Sequence, residues 1–89
     1  MTQPDPTDVH VGRIIRARRM AKGLTLGQLA HGIGVSHQQV HEYEKGANRV
    51  SASTLYRMAG VLGITPDAFF HDLSTPMPPP APPVESRPG

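Results

Sequence analysis

Two polar helix caps eleven residues apart, with a glycine between them, constrain this chain more than any other feature. Thr25-Leu26-Gly27-Gln28 spells a capping box, with a hydroxyl at the cap and an amide three residues on. Ser36-His37-Gln38-Gln39 spells a second. Gly34 suits the left-handed backbone that ends the first of these helices. The connection Gly34-Val35 is too brief to let the two helices lie side by side, so they must cross at a steep angle. Ala30 stands where the second helix needs a short side chain for close approach. Val35, Val40 and Tyr43 supply the apolar contacts that hold the angle.

The flanking sequence is helical in period. Val11, Ile14 and Ile15 form an apolar stripe beside Arg18-Arg19, with Asp8 as the expected cap and Gly23 as the stop. The capped pair carries Leu26, Leu29, Ala30 and Ile33 on one helix and runs to about Lys45, before Gly46, on the other. Ser51 or Ser53 opens a fourth helix with Leu55, Met58, Ala59 and Leu62 at helical spacing, stopped by Gly63. Thr65-Pro66-Asp67 opens a fifth through Phe69 and Phe70, of which one is expected in the core and one at an interface. No strand-like alternation occurs, so the expected fold class is all-α with five short helices. Residues 1–8 hold two prolines without periodicity and read as a flexible arm. Residues 74–89 hold seven prolines, which favour extended polyproline II. That stretch reads as a disordered spacer or, more sharply, as a docking peptide for a proline-reading domain. The expected domain is 9–73.

Composition removes several classes of function. Without cysteine, 89 residues hold no disulfide, iron–sulfur cluster or thiolate zinc site. With no Trp, two Tyr and two Phe, the core must be mostly aliphatic. A domain this small buries only about 60% of its unfolded surface, which leaves little room for an enzyme pocket. No catalytic grouping of nucleophile, phosphate loop or paired carboxylates is present in the sequence. His37 and His41 have a metal-compatible spacing but no third ligand, so neither metal nor cofactor is expected. No apolar run approaches the roughly 18 residues of a membrane span, and the start lacks signal-peptide character, so the chain reads as cytoplasmic. The net charge of +2 hides an asymmetry: residues 9–73 carry eight basic against four acidic side chains. A basic body permits a polyanion partner.

On a wheel of about 100° per residue, Ser36, Val40 and Tyr43 fall inward. Gln38, His41, Glu42 and Lys45 fall outward, flanked by His37 and Gln39. Amides and imidazoles are directional hydrogen-bonding groups. Glutamine can bond adenine N6 and N7 together, and glutamate can accept from cytosine N4. The N-terminal end of such a helix enters a major groove first, which makes His37, Gln38 and Gln39 the leading base-contact candidates, followed by His41 and Glu42.

A longer pattern runs through Ile15-Arg16-Ala17-Arg18-Arg19, Leu24-Thr25, Leu29-Ala30, Gly34-Val35-Ser36, Val40 and Tyr43-Glu44-Lys45-Gly46. Leu55, Ala59 and Leu62-Gly63 continue it in register. On these residues the segment 9–70 resembles the phage repressor/Cro-like helix-turn-helix family, also called the xenobiotic-response-element family. The resemblance implies a sequence-specific transcription regulator on double-stranded DNA, expected to be a repressor and a homodimer on a palindromic site. It implies that Arg19 pairs with Glu44 as a structural salt bridge. Gln38 matches a base-reading position, with His37 and Gln39 beside it and Glu42 in the second turn. Lys45, Asn48 and Arg49 match the loop that grips phosphates, and Thr25 at the start of the second helix joins them. Where the family usually has a phosphate-touching glutamine this chain has Leu26, a loss that Arg16 or Arg13 is expected to offset. No separate effector domain is expected, so activity is expected to be set by protein concentration or by a regulatory protein partner that masks the DNA face or the surface of the fifth helix. The alternative is a protein-interaction module, an antitoxin or adaptor working through that helix and the proline-rich stretch.

Overall fold

The computed structural model of the chain describes residues 4–71. Four α-helices follow one another: α1 (Pro6–Ala21), α2 (Leu26–Ile33), α3 (His37–Lys45) and α4 (Ala52–Leu62). A 3-10 helix, Pro66–Phe70, closes the set. Among the described residues there are no strands.

The local signals act where the sequence put them. Thr25 Oγ1 accepts from Gln28 N at 3.0 Å, and Gln28 Oε1 accepts from Thr25 N at 2.8 Å, so the first capping box closes fully. Ser36 Oγ accepts from Gln39 N at 3.1 Å, one half of the second. Ser51, rather than Ser53, caps α4. Gly34 ends α2 at φ +78, as expected for a glycine in the left-handed region.

Two boundaries differ from expectation. Helix α1 starts inside the stretch read as a flexible arm, because Asp5, not Asp8, is its cap, accepting from Thr7 N at 2.7 Å. Pro6 at the first helical position has no donor to lose and a φ already set for the helix. Asp8 lies in the first turn, where its charge suits the helix dipole. The fifth element is a 3-10 helix and not an α-helix. Thr65 makes no side-chain cap bond, and five residues are too few to offset α-helix nucleation. The proline-rich stretch 74–89 and the domain end at 73 lie outside the described residues.

Each element sends one fully buried side chain to a common centre: Ile15, Leu29, Val40, Met58 and Phe69. The core is aliphatic apart from Phe69 and the edge of Tyr43, as the composition requires. Phe69 is wholly buried and its neighbour Phe70 is 44% exposed. The 3-10 helix thus serves to drive one aromatic ring under α1 and α4.

Candidate nucleic-acid interface

Helix α3 presents its polar side because its apolar side is anchored below. Val40 is fully buried and Tyr43 nearly so. The 3.6-residue period then turns His37, Gln38, His41 and Lys45 outward, and all four are exposed. Gln39 and Glu42 are half-buried at the flanks. Ser36, expected inward, is exposed instead, since as the cap it stands outside the helical repeat.

Backbone contact sets the height of α3 above α1. A Cβ at Gly12 would lie 2.4 Å from Tyr43 O and 2.6 Å from Glu44 O. A Cβ at Gly46 would lie 2.7 Å from Val9 Cα. The C-terminal half of α3 therefore packs against α1 with glycine on each side. Sequence reasoning missed Gly12, whose only signal is an uncapped glycine inside a helical pattern.

Charge completes the seat. Arg19 Nε donates to Glu44 Oε2 at 2.7 Å and Nη2 donates to Oε1 at 3.1 Å. Arg19 Nη1 also donates to Leu24 O at 2.8 Å, tying the α1–α2 turn to the pair. The hydrogen bond to Glu44 raises the Arg19 pKa further, and the carboxylate's charge adds to it against the opposing effect of burial. Glu44 is consumed by this pair and is turned away from the outer face.

On the outer face, Gln38 Nε2 donates to Glu42 Oε2 at 3.0 Å, and Lys45 Nζ lies 3.9 Å from the same oxygen. Two side chains predicted as separate base contacts thus form one unit. Arg49, expected to grip phosphate, instead pairs with α1: its Nε lies 3.3 Å from Asp8 Oδ2 and its Nη2 3.9 Å from Asp5 Oδ2. Arg49 remains highly exposed, so the pair leaves the guanidinium reachable. Asn48 and Arg16 are exposed. Thr25 is exposed at the start of α2, with its oxygen accepting from Gln28 N. Leu26 is half-buried against the core, which explains an apolar side chain there. Among the described residues no three His, Asp or Glu side chains gather as a metal site. No described helix is long and apolar enough to cross a membrane.

This arrangement offers hydrogen-bonding groups and the Lys45 cation together on the exposed side of one helix. Comparison with known proteins points the same way. The family model described as helix-turn-helix matches residues 15–69. A transcriptional regulator in the ATPase CF(0) region of Rhodospirillum rubrum is 52% identical over 66 residues, which is 74% of this chain and 61% of that protein. Of solved structures, the clp gene regulator ClgR from Corynebacterium glutamicum superposes with a TM-score of 0.74 at 26% identity, covering 81% of this chain and 77% of that one. The restriction-modification controller protein C.AhdI from Aeromonas hydrophila gives 0.68 at 33% identity, covering 71% and 96%. This chain spans about half the length of the first curated relatives it matches.

Proposed function

This chain belongs to the helix-turn-helix family, and on that premise we propose that it is a transcription regulator that reads double-stranded DNA with α3 in the major groove. One observation carries the reading: His37, Gln38 and His41 are exposed together on a helix whose opposite side is fixed by Val40, Tyr43 and the Glu44–Arg19 pair. A side chain can discriminate bases only if its carrier helix does not shift, and this one is held by packing, backbone contact and charge. His37, Gln38, Gln39 and His41 meet base edges, and Glu42 stands beside Gln38 in the second turn. Thr25, Lys45, Asn48, Arg49 and Arg16 contact phosphates, which fix register without reading sequence. A helix this short covers few base pairs, so the protein acts as a homodimer on half-sites about 34 Å apart, as a repressor that excludes other proteins from the site.

The test is a salt titration of binding to duplex DNA. The logarithm of affinity should fall steeply against the logarithm of salt, by about 0.9 for each phosphate neutralised. A flat dependence with no specific complex at any salt would reject the reading. The exposed Phe70, which lines a groove with Val11, Val50 and Leu55 edged by Asp8 and Arg49, supports a second reading as a protein-interaction module. The flat outcome is the one that reading predicts.

A further inference from the structure

We propose that Glu42 acts on DNA through Gln38, as a positioning residue that fixes the orientation of the Gln38 amide and makes its base pair select adenine over guanine. The inference rests on the DNA-reading function above. Gln38 Nε2 donates to Glu42 Oε2 at 3.0 Å, one turn along α3. An ionised carboxylate only accepts hydrogen bonds. Turning the amide over would set Gln38 Oε1 against a carboxylate oxygen, acceptor facing acceptor. Glu42 therefore admits one amide orientation and excludes the other.

The consequence is a reading head of fixed polarity. With one amide hydrogen given to Glu42, Gln38 keeps Oε1 and its second hydrogen for the groove. An acceptor beside a donor complements adenine, which shows the N6 donor and the N7 acceptor. Guanine shows O6 and N7, two acceptors, so the fixed Oε1 would oppose O6. An untethered glutamine can avoid that clash by turning its NH2 group to guanine and donating both hydrogens, to O6 and N7, whereas Gln38 has one of the two committed to Glu42. Lys45 Nζ, 3.9 Å from Glu42 Oε2, places a cation beside the same oxygen. With that oxygen engaged by Gln38 and flanked by Lys45, and its side chain only 27% exposed, Glu42 is poorly placed to take a cytosine amino group itself.

The experiment measures affinity of the full chain for a selected duplex in which the base pair read by Gln38 is varied. That pair is the one whose preference Gln38→Ala abolishes. Wild type, Glu42→Gln, Gln38→Ala and the double variant are compared. Glu42→Gln tests the idea because its neutral amide can either accept or donate, and so tolerates both orientations of Gln38. Wild type should prefer adenine over guanine there by on the order of tenfold, and Glu42→Gln should reduce that ratio to less than about threefold. Adding Glu42→Gln to Gln38→Ala should change no base preference further, whereas a residue with a merely structural role would shift affinity for all four duplexes alike. An unchanged adenine-to-guanine ratio in Glu42→Gln overturns the proposal. So does a loss at a different, cytosine-containing pair that persists in the Gln38→Ala background, which would make Glu42 a direct reader. A wild-type protein that binds all duplexes equally fails earlier, at the DNA-reading function, and is recognised before any variant is compared.

Discussion

Arg19 and Glu44 lie on different helices and meet through two parallel hydrogen bonds, 2.7 and 3.1 Å long, beneath the face that α3 turns outward. Their side chains are 12% and 4% exposed, so each charge depends on the other for most of its solvation. Removing one partner of a buried pair leaves an uncompensated charge, at a cost of about 3–5 kcal/mol when burial is complete. The residual exposure of Arg19 places this pair at the lower end. Glu44→Ala and Arg19→Ala should each lower unfolding stability by about 3 kcal/mol, and Glu44→Gln by less, because it keeps one hydrogen bond. Urea unfolding followed by circular dichroism measures this, and a loss below about 1 kcal/mol for Glu44→Ala would mark the pair as a surface contact.

Two helix glycines should respond to alanine with opposite signs. Gly60 in α4 faces open space, so Gly60→Ala should gain about 0.5–1 kcal/mol from helix propensity alone. Gly12→Ala drives a methyl into the backbone of Tyr43 and Glu44, and overpacking of about 1–3 kcal/mol or more should exceed the same gain. The midpoints of thermal unfolding should therefore move in opposite directions. A stabilised Gly12→Ala protein would contradict the close approach of α1 and α3.

The Arg49–Asp8 pair couples the loop after α3 to the first turn of α1. Arg49→Ala should weaken binding to every duplex and flatten the salt slope by roughly one unit. Asp8→Asn should act the other way, tightening binding to all sequences by releasing Arg49 and removing a nearby negative charge. Affinity at several salt concentrations reports both. An unaltered slope in Arg49→Ala would remove that side chain from the phosphate contacts.

The 3-10 helix has its own pH response. The carboxyl of Asp67 is held below the ordinary aspartate range, first by the Thr65 hydroxyl and then by His71, whose Nε2 lies 3.1 Å away. A group with a lowered pKa in the folded state contributes stability that is present above the ordinary value and lost as pH falls through the lowered one. Amide signals of Phe69 and Phe70 should shift as pH drops through and below the usual aspartate range, while those of α2 stay in place. Asp67→Asn should abolish this transition, and its persistence there would assign it to another group.

What the sequence made legible was local. The caps at Thr25 and Ser36 act within three residues, and the glycine stops act within one turn, so the helix pair could be read directly. The outward side of α3 followed from the period, since Val40 and Tyr43 left only one orientation. The start of α1 was missed because Pro4 and Pro6 read as breakers, although a proline at the first helical position is compatible with a helix. Five helical residues after Thr65 are too short a pattern to reveal whether they wind as α or 3-10. Long-range partners were hidden: Arg49 and Asp8 are 41 residues apart, and no periodicity brings Gly12 to the backbone of Tyr43. The Arg19–Glu44 pair, 25 residues apart, came from the family pattern and not from spacing.

The most direct measurement selects bound duplexes from a random pool with wild-type protein and then titrates Gln38→Ala against the selected site and against random DNA. The wild type should return a two-fold symmetric site with half-site centres about 10 base pairs apart, and Gln38→Ala should lose about 1–3 kcal/mol on that site and little on random DNA. No enriched site, or equal losses on both DNAs, would contradict an α3 that reads bases.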